Sequence, residues 1–339
     1  MTRRTRRTGA GRGVLLFFVL IWAAVTAAAP CAGAELVQDG DLPVVMDRAT
    51  FPENYADFQF PEDAKILEIW FPDIRDADAA VLIYDGKAWM IDCGGEKAGA
   101  RCALMITQLG IREIDKLFNT HPHHDHLMGL SLIDDVARVN ELLICFPEDS
   151  TETMISALQV AAERDIPVTT FGDEDTFSMG DGQVTFKVWM KSREELSIND
   201  RSAQILVSYG DRKMLFMADM ERPGQRDLAA AVPAEELKVD VFKYPHHGKL
   251  EMADELLTLM DPDMAIITNY RRYGKSFYYL GRRGVNMLYT NRDSVFLRVA
   301  TDGEHWVCEY VPIKQMVPVD AATDLDEENI AENVDNFDE

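Results

Sequence analysis

Thr120-His121-Pro122-His123-His124-Asp125-His126 is the stretch on which the reading of this chain turns. The 339 residues include seven histidines; four of them lie between 121 and 126, and two of the other three are adjacent at His246 and His247. Histidines that pack a core or dot a surface do not gather in this way. In an extended segment alternate side chains point to the same side, so His121 and His123 can place two imidazoles on one cation. Asp125 and His126, where the chain turns into the next helix, can reach a neighbouring cation. A two-metal centre is the expectation.

Working outward, other strands end in candidate ligands. Met214-Leu215-Phe216-Met217 runs into Ala218-Asp219, and Val239 to Tyr244 runs into Pro245-His246-His247-Gly248. Asp219 could bridge two cations with its two oxygens. Strand and helix signals alternate from Ala64 to about Val311 in two successive groups, the first with a hairpin at Asp85-Gly86 and helices over 97–110, 130–139 and 152–164. The second runs from Val184 to Tyr310 with helices over 225–231 and 253–260. This order predicts an α/β protein with two packed sheets and helices outside.

Ile114 to Gly129, with its HxHxDH core, resembles the signature of the metallo-β-lactamase superfamily. The resemblance is strongest to the hydrolase branch that includes the extracellular domain of the competence protein ComEC. Ala218-Asp219, Lys243-x-x-His246-His247-Gly248, Asp78-Ala79, Ile91 to Gly95 and Asn199 to Ser202 follow in that branch's order, over residues 64–313. The resemblance implies a four-layer αββα sandwich with its metals at one edge. It implies His121 and His123 on one metal, Asp125 and His126 on the other, and Asp219 between them. The last ligand comes from the 246–247 pair: His247 is favoured, with His246 as a supporting or proton-donating group. Asp92 supports the loop. Many superfamily members carry a further ligand histidine before the bridging aspartate; this chain has none from Leu127 to Tyr244, which fits the ComEC-like branch and argues against β-lactam cleavage. Met128 and Ala218 replace usual glycines, and Lys249 a usual serine.

Composition bounds the rest. There are 34 basic against 58 acidic residues, a net charge of −24, with 47% hydrophobic residues. A chain of this size and apolar content builds a core, which excludes wholesale disorder and a disulfide-dense miniprotein. The negative surface repels polyanions and so disfavours nucleic acid as a partner. One local exception lies at Asn269–Gly284, where Arg271, Arg272 and Lys275 interleave with aromatics and could hold an anionic substrate; the alternative is a loop whose arginines pair with nearby carboxylates. Residues 1–34, with five arginines before a sixteen-residue apolar or small run, read as an export signal or anchor, so the rest is expected to be secreted or extracytoplasmic. Residues 35–63 read as a linker and 314–339 as an acidic, solvated tail. Cys93, Cys102, Cys145 and Cys308 lack metal-ligand spacing and are expected as buried small residues or at most a bridge or two.

Two divalent ions, Zn2+ for the imidazole-rich set or Mn2+ for the carboxylate-rich one, would share a bridging hydroxide and clamp an in-line displacement. Asp125 and His246 are the candidate catalytic side chains. The expected function is therefore an exported metal-dependent hydrolase of phosphodiesterase or nuclease type. The alternatives are a hydrolase of a small ester, lactone or cell-wall phosphodiester, and a degenerate extracellular binding module. No stable protein partner is implied.

Overall fold

The structure, a computed structural model, describes residues 58–270, 276–292 and 294–313. The first group of elements is β1 (Leu67–Phe71), β2 (Ala79–Tyr84), β3 (Lys87–Cys93), α1 (Glu96–Leu109), β4 (Glu113–Ile114), β5 (Lys116–Phe118), α2 (His124–Leu127), α3 (Leu130–Val136), β6 (Arg138–Val139), β7 (Leu142–Ile144), α4 (Glu152–Glu163) and β8 (Val168–Thr170). The second is β9 (Thr176–Met179), β10 (Val184–Trp189), β11 (Gln204–Tyr209), β12 (Arg212–Phe216), α5 (Arg222–Ala231), α6 (Ala234–Leu237), β13 (Val241–Lys243), α7 (Asp254–Met260), β14 (Met264–Tyr270), α8 (Ser276–Gly281), β15 (Asn286–Asn291), β16 (Val295–Thr301) and β17 (Trp306–Pro312).

Two mixed sheets form, ordered β17-β16-β1-β2-β3-β5-β7-β8 and β15-β14-β13-β12-β11-β10-β9. Period-two alternation decides how they stack. On β12, Met214 and Phe216 face the first sheet while Leu215 faces the outer helices; on β14, Met264 and Ile266 face inward while Ala265 and Ile267 face out. Both faces of these strands are buried, so they read as continuous apolar runs. Three apolar layers result: one between the sheets, one under α1, α3 and α4, and one under α5 and α7. Three apolar layers separate four layers of secondary structure, the expected αββα sandwich.

Local signals behave as their chemistry requires. Asp85 and Gly86 both take positive φ (50° and 73°), the two-residue turn whose twist matches the β2–β3 hairpin. Gly110 caps α1 in the left-handed region. The helix expected over 130–139 is shorter: Ala137 leaves helical geometry and Asp134 accepts a hydrogen bond from the Val139 N–H at 2.9 Å, turning the chain into β6, which pairs with β4. β8 and β9 were not expected, because Val168–Thr170 is exposed throughout and offers no apolar alternation. α1 and α3 meet through Gly99 and Gly129. A Cβ on Gly129 would lie 2.1 Å from the Cys93 carbonyl oxygen, so only glycine fits there.

Cys93, Cys102, Cys145 and Cys308 form no disulfide with one another. Burial raises their thiols above the ordinary range, which suits packing rather than reactivity. Among the described residues no helix is long and apolar enough to cross a membrane. The export segment, most of the linker and the acidic tail lie outside the described residues.

Candidate metal centre

Several strands deliver their carboxyl ends to one edge of the sandwich, where ligands of open α/β sheets collect. Asp92 closes β3, Thr120 to His123 follow β5, Asp219 follows β12, and His246 and His247 follow β13, while Asp78 precedes β2. His121, His126, His247, Asp78, Asp92 and Asp219 are buried, whereas His246 is 21% and Asp125 33% exposed. Chain positions more than a hundred residues apart thus meet around Asp219.

The backbone is bent to achieve this. Ala218, His246 and His247 all take positive φ (45°, 49° and 51°). Each costs an L-residue about 1–2 kcal/mol. The strain is stored where the ligands must turn inward.

Hydrogen bonds settle which imidazole nitrogens are bare. Asp92 Oδ2 accepts from His126 Nδ1 at 2.8 Å, leaving His126 Nε2 to face Asp219 Oδ1 at 3.3 Å. Thr120 Oγ1 donates to Asp92 Oδ2 at 2.7 Å and so accepts from His121 Nδ1 at 3.2 Å, leaving His121 Nε2 bare. Asp78 Oδ1 accepts from His247 Nδ1 at 3.1 Å, leaving His247 Nε2 3.1 Å from Asp125 Oδ2 and 3.4 Å from Asp219 Oδ2. Asp78 is held in turn by Thr268 Oγ1 at 2.7 Å and by Lys243 Nζ, which also donates to the Ala218 carbonyl at 2.9 Å. Such carboxylate and hydroxyl partners are the usual means of orienting imidazoles toward a metal.

The donors gather about Asp219, whose Oδ2 faces both His121 Nε2 at 4.0 Å and His247 Nε2 at 3.4 Å. His121 Nε2 lies 3.1 Å from His123 Nδ1 and 4.0 Å from Asp219 Oδ2. Two ligands with bonds of about 2.0–2.2 Å can be at most ~4.2 Å apart on one ion, so both separations are admissible. His126 Nε2 and His247 Nε2 also stand beside Asp219, and Asp125 Oδ2 lies 3.1 Å from His247 Nε2. Asp78, His126, Asp219 and His247 can also bring one donor atom each within 4.8 Å of one another, although Asp78 is already engaged by three donors.

Two buried atoms test whether divalent ions fit. His126 Nε2 and Asp219 Oδ1 have no hydrogen-bond partner, although they face each other. Orphaned buried polar atoms are costly, and a metal is the partner that both a bare imidazole nitrogen and a carboxylate oxygen accept. The electrostatics agree. Burial opposes charge on the His126 and His247 rings, but Asp219 with Asp92 and Asp219 with Asp78 outweigh it, holding His126 well above its ordinary range and pushing His247 up to about 10. Burial likewise opposes charge on Asp219, and His247 and His126 outweigh it, holding that carboxyl well below its ordinary range. Burial, and then His126, lower His121 and His123. The carboxylates that favour positive charge at the His126 and His247 rings would equally favour a divalent cation between them.

All six expected metal ligands, His121, His123, Asp125, His126, Asp219 and His247, sit in this one neighbourhood with His246. Asp92 stands behind His126. Asp78, Lys243, Thr120 and Thr268 were not named as site residues; Asp78-Ala79 was read as part of the branch's motif order, without a role in the site. Arg271, Arg272 and Lys275 lie outside the described residues. In the same segment, Arg283 pairs with Asp254 and lies over the Tyr279 ring, 5.0 Å to its centroid.

Comparison with known proteins follows the same line. The sequence profile of the metallo-beta-lactamase superfamily matches residues 74–189. The chain is 24% identical to ComE operon protein 3 of Bacillus subtilis over 221 residues, 62% of this chain and 28% of that protein. It is 45% identical to zinc phosphodiesterase ELAC protein 1 of Mus musculus over 56 residues, 16% of this chain and 15% of that protein. The chain therefore spans less than a third of either relative. Among solved structures, the metallo-beta-lactamase fold protein YhfI of Bacillus subtilis superposes with a TM-score of 0.44 at 9% identity, over 66% of this chain and 95% of that one.

Proposed function

We propose that this chain, which matches the metallo-beta-lactamase superfamily over residues 74–189, is an exported hydrolase with two divalent metal ions, acting on phosphodiester bonds. The observation that carries the reading is the facing pair of buried, unpartnered atoms, His126 Nε2 and Asp219 Oδ1, with His121 and His247 both within 4.0 Å of the other Asp219 oxygen. A pair of divalent ions supplies Lewis acidity and acidifies water near neutral pH.

The chain's own residues do the rest. Asp92, Thr120 and Asp78 fix the imidazole tautomers, and Lys243 offsets the charge that the carboxylates concentrate in a buried space. His121, His126 and His247 are closed to solvent, whereas Asp125 and His246 are partly open. Substrate therefore approaches on the side of Asp125 and His246, and Asp125 orients the attacking water by accepting its hydrogen bond. Zn2+ suits the imidazole-rich donor set. The phosphodiesterase name of one relative supports the choice of bond. The net charge of −24 favours a small phosphodiester, ester or lactone over a long nucleic acid, since each phosphate meets a repulsive field.

Metal analysis and turnover of bis-p-nitrophenyl phosphate by the purified chain test the proposal. Two equivalents of metal and turnover abolished by Asp125→Ala are expected. Turnover of carboxyl esters or lactones but not phosphodiesters would select the second reading, and a metal-free, inert protein would leave a binding module. Export is tested by fusing residues 1–34 to a reporter that is active only outside the cytoplasm.

A further inference from the structure

Asn199-Asp200-Arg201-Ser202 forms the turn that leads into β11, and the fold gives a partner to every side chain of it except one. The Asn199 carbonyl accepts from the Ser202 N–H at 3.2 Å and from Ser202 Oγ at 2.8 Å. The Asp200 carboxylate, the acid beside Arg201, is taken by Ser197 Oγ and by the Gly224 N–H, both at 2.9 Å. Arg201 is half-buried; among the described residues its side chain meets neither a carboxylate nor a hydrogen-bond acceptor, and its Nε is buried without a partner. Its guanidinium lies over the Phe146 ring, 5.5 Å to the centroid. In a chain with 58 acidic against 34 basic residues, Arg164, Arg193, Arg222 and Arg298 all find carboxylates.

Both flanks of Arg201 are tied to the metal centre. Asn199 Nδ2 donates to Glu221 Oε1 at 3.3 Å, and that oxygen lies 3.2 Å from Nδ1 of the partly open His246. The Ala203 N–H donates at 2.9 Å to the Thr120 carbonyl, one residue before His121. Phe146, under the guanidinium, follows β7. In the same loop Thr151 Oγ1 donates at 2.9 Å to the carbonyl of Pro122, between His121 and His123.

We propose that Arg201 holds an anionic phosphate oxygen of the substrate at the rim of the metal centre. This rests on the phosphodiesterase reading and deepens it by naming the side chain that supplies positive charge outside the metals. An arginine seated on an aromatic face keeps the edge of its planar guanidinium free, and that edge pairs with phosphate through two parallel N–H···O bonds. A partly buried guanidinium without a counter-ion is unfavourable by itself, and an arriving anion removes that cost. The overall charge of −24 repels a phosphodiester, so a cation without an acidic neighbour is needed where the substrate docks.

Calorimetric titration of the Zn2+-loaded chain with inorganic phosphate, with metal counted per chain, decides the matter. Wild-type protein is expected to bind phosphate. Arg201→Met keeps the apolar stem against Phe146 and should weaken that binding by about tenfold or more, the loss of a charge-assisted pair, with metal content unchanged. Arg201→Lys keeps the charge without the fork and should recover part of the loss, which guards against a variant that fails to fold. Arg201→Met should also raise KM for bis-p-nitrophenyl phosphate by a similar factor while kcat falls less. Phosphate affinity within about twofold of wild type in both variants would overturn the proposal, even if turnover fell. Loss of metal in both variants would show a structural role and overturn it too, as would metal-loaded wild type that binds no phosphate. Wild-type protein that takes up no metal would instead overturn the reading beneath it.

Discussion

Asp92→Asn exchanges one oxygen for an NH2 group, yet it should uncouple the fold from its metals. The Asp92 Oδ1 atom accepts from the Thr120 backbone N–H at 2.8 Å and Asn119 Nδ2 at 3.3 Å, while Oδ2 accepts from Thr120 Oγ1 at 2.7 Å and His126 Nδ1 at 2.8 Å. An asparagine keeps its oxygen where the backbone N–H points and turns its NH2 toward Thr120 and His126. His126 Nδ1 must then accept, which moves the ring proton to Nε2, the atom that faces Asp219. Thr120 Oγ1, now accepting from the amide, donates to His121 Nδ1 and moves that ring's proton to Nε2 as well. Each lost orienting partner costs about 10–100-fold in metal affinity. A total of about a hundredfold, ~2.7 kcal/mol, is the modest expectation for two rings.

Every donor retains a partner in that variant, so the metal-free fold should survive. Thermal unfolding with and without Zn2+, with a chelator competition to fix the affinities, reads the effect. At a Zn2+ concentration of about 100 times the wild-type Kd the wild type gains ~2.7 kcal/mol from each site, and a variant weakened a hundredfold gains only ~0.4 kcal/mol. Asp92→Asn protein with metal affinity within threefold of wild type would falsify the claim that Asp92 sets the tautomers.

Further expectations concern packing, protons and charge. Gly129→Ala places a methyl against the Cys93 carbonyl and should lower unfolding free energy in urea by about 3 kcal/mol or more, through forced separation of α1 and α3. His247, pushed up to about 10 in the fold from its ordinary 6.5, stabilises the metal-free protein fully below pH 6.5. That contribution is lost as pH rises toward 10, so with chelator present stability should fall with a slope of up to about 1.4 kcal/mol per pH unit, and a flat profile would refute the assignment. If Arg271 and Arg272 hold substrate phosphate, changing both to alanine should raise KM in a salt-dependent manner and leave metal content unchanged; unaltered kinetics would remove that role.

The strands and both histidine clusters were legible because their signals are local: alternation within six residues, and imidazoles two positions apart. β8 and β9 were not, since exposed polar strands carry no such alternation. Asp78 was given no role in the site because that role depends on Lys243 and His247, 165 and 169 residues downstream.

From the linear order of residues alone came the resemblance to the metallo-β-lactamase superfamily, the two-sheet sandwich and the candidate donor groups, because side-chain chemistry and short-range periodicity are properties of neighbours along the chain. Tertiary structure alone decided which nitrogen of each imidazole is bare, which carboxylate stands behind it and which side of the cluster opens to solvent. Those depend on hydrogen bonds between strands that only the folded sheets bring within 3 Å or so of each other.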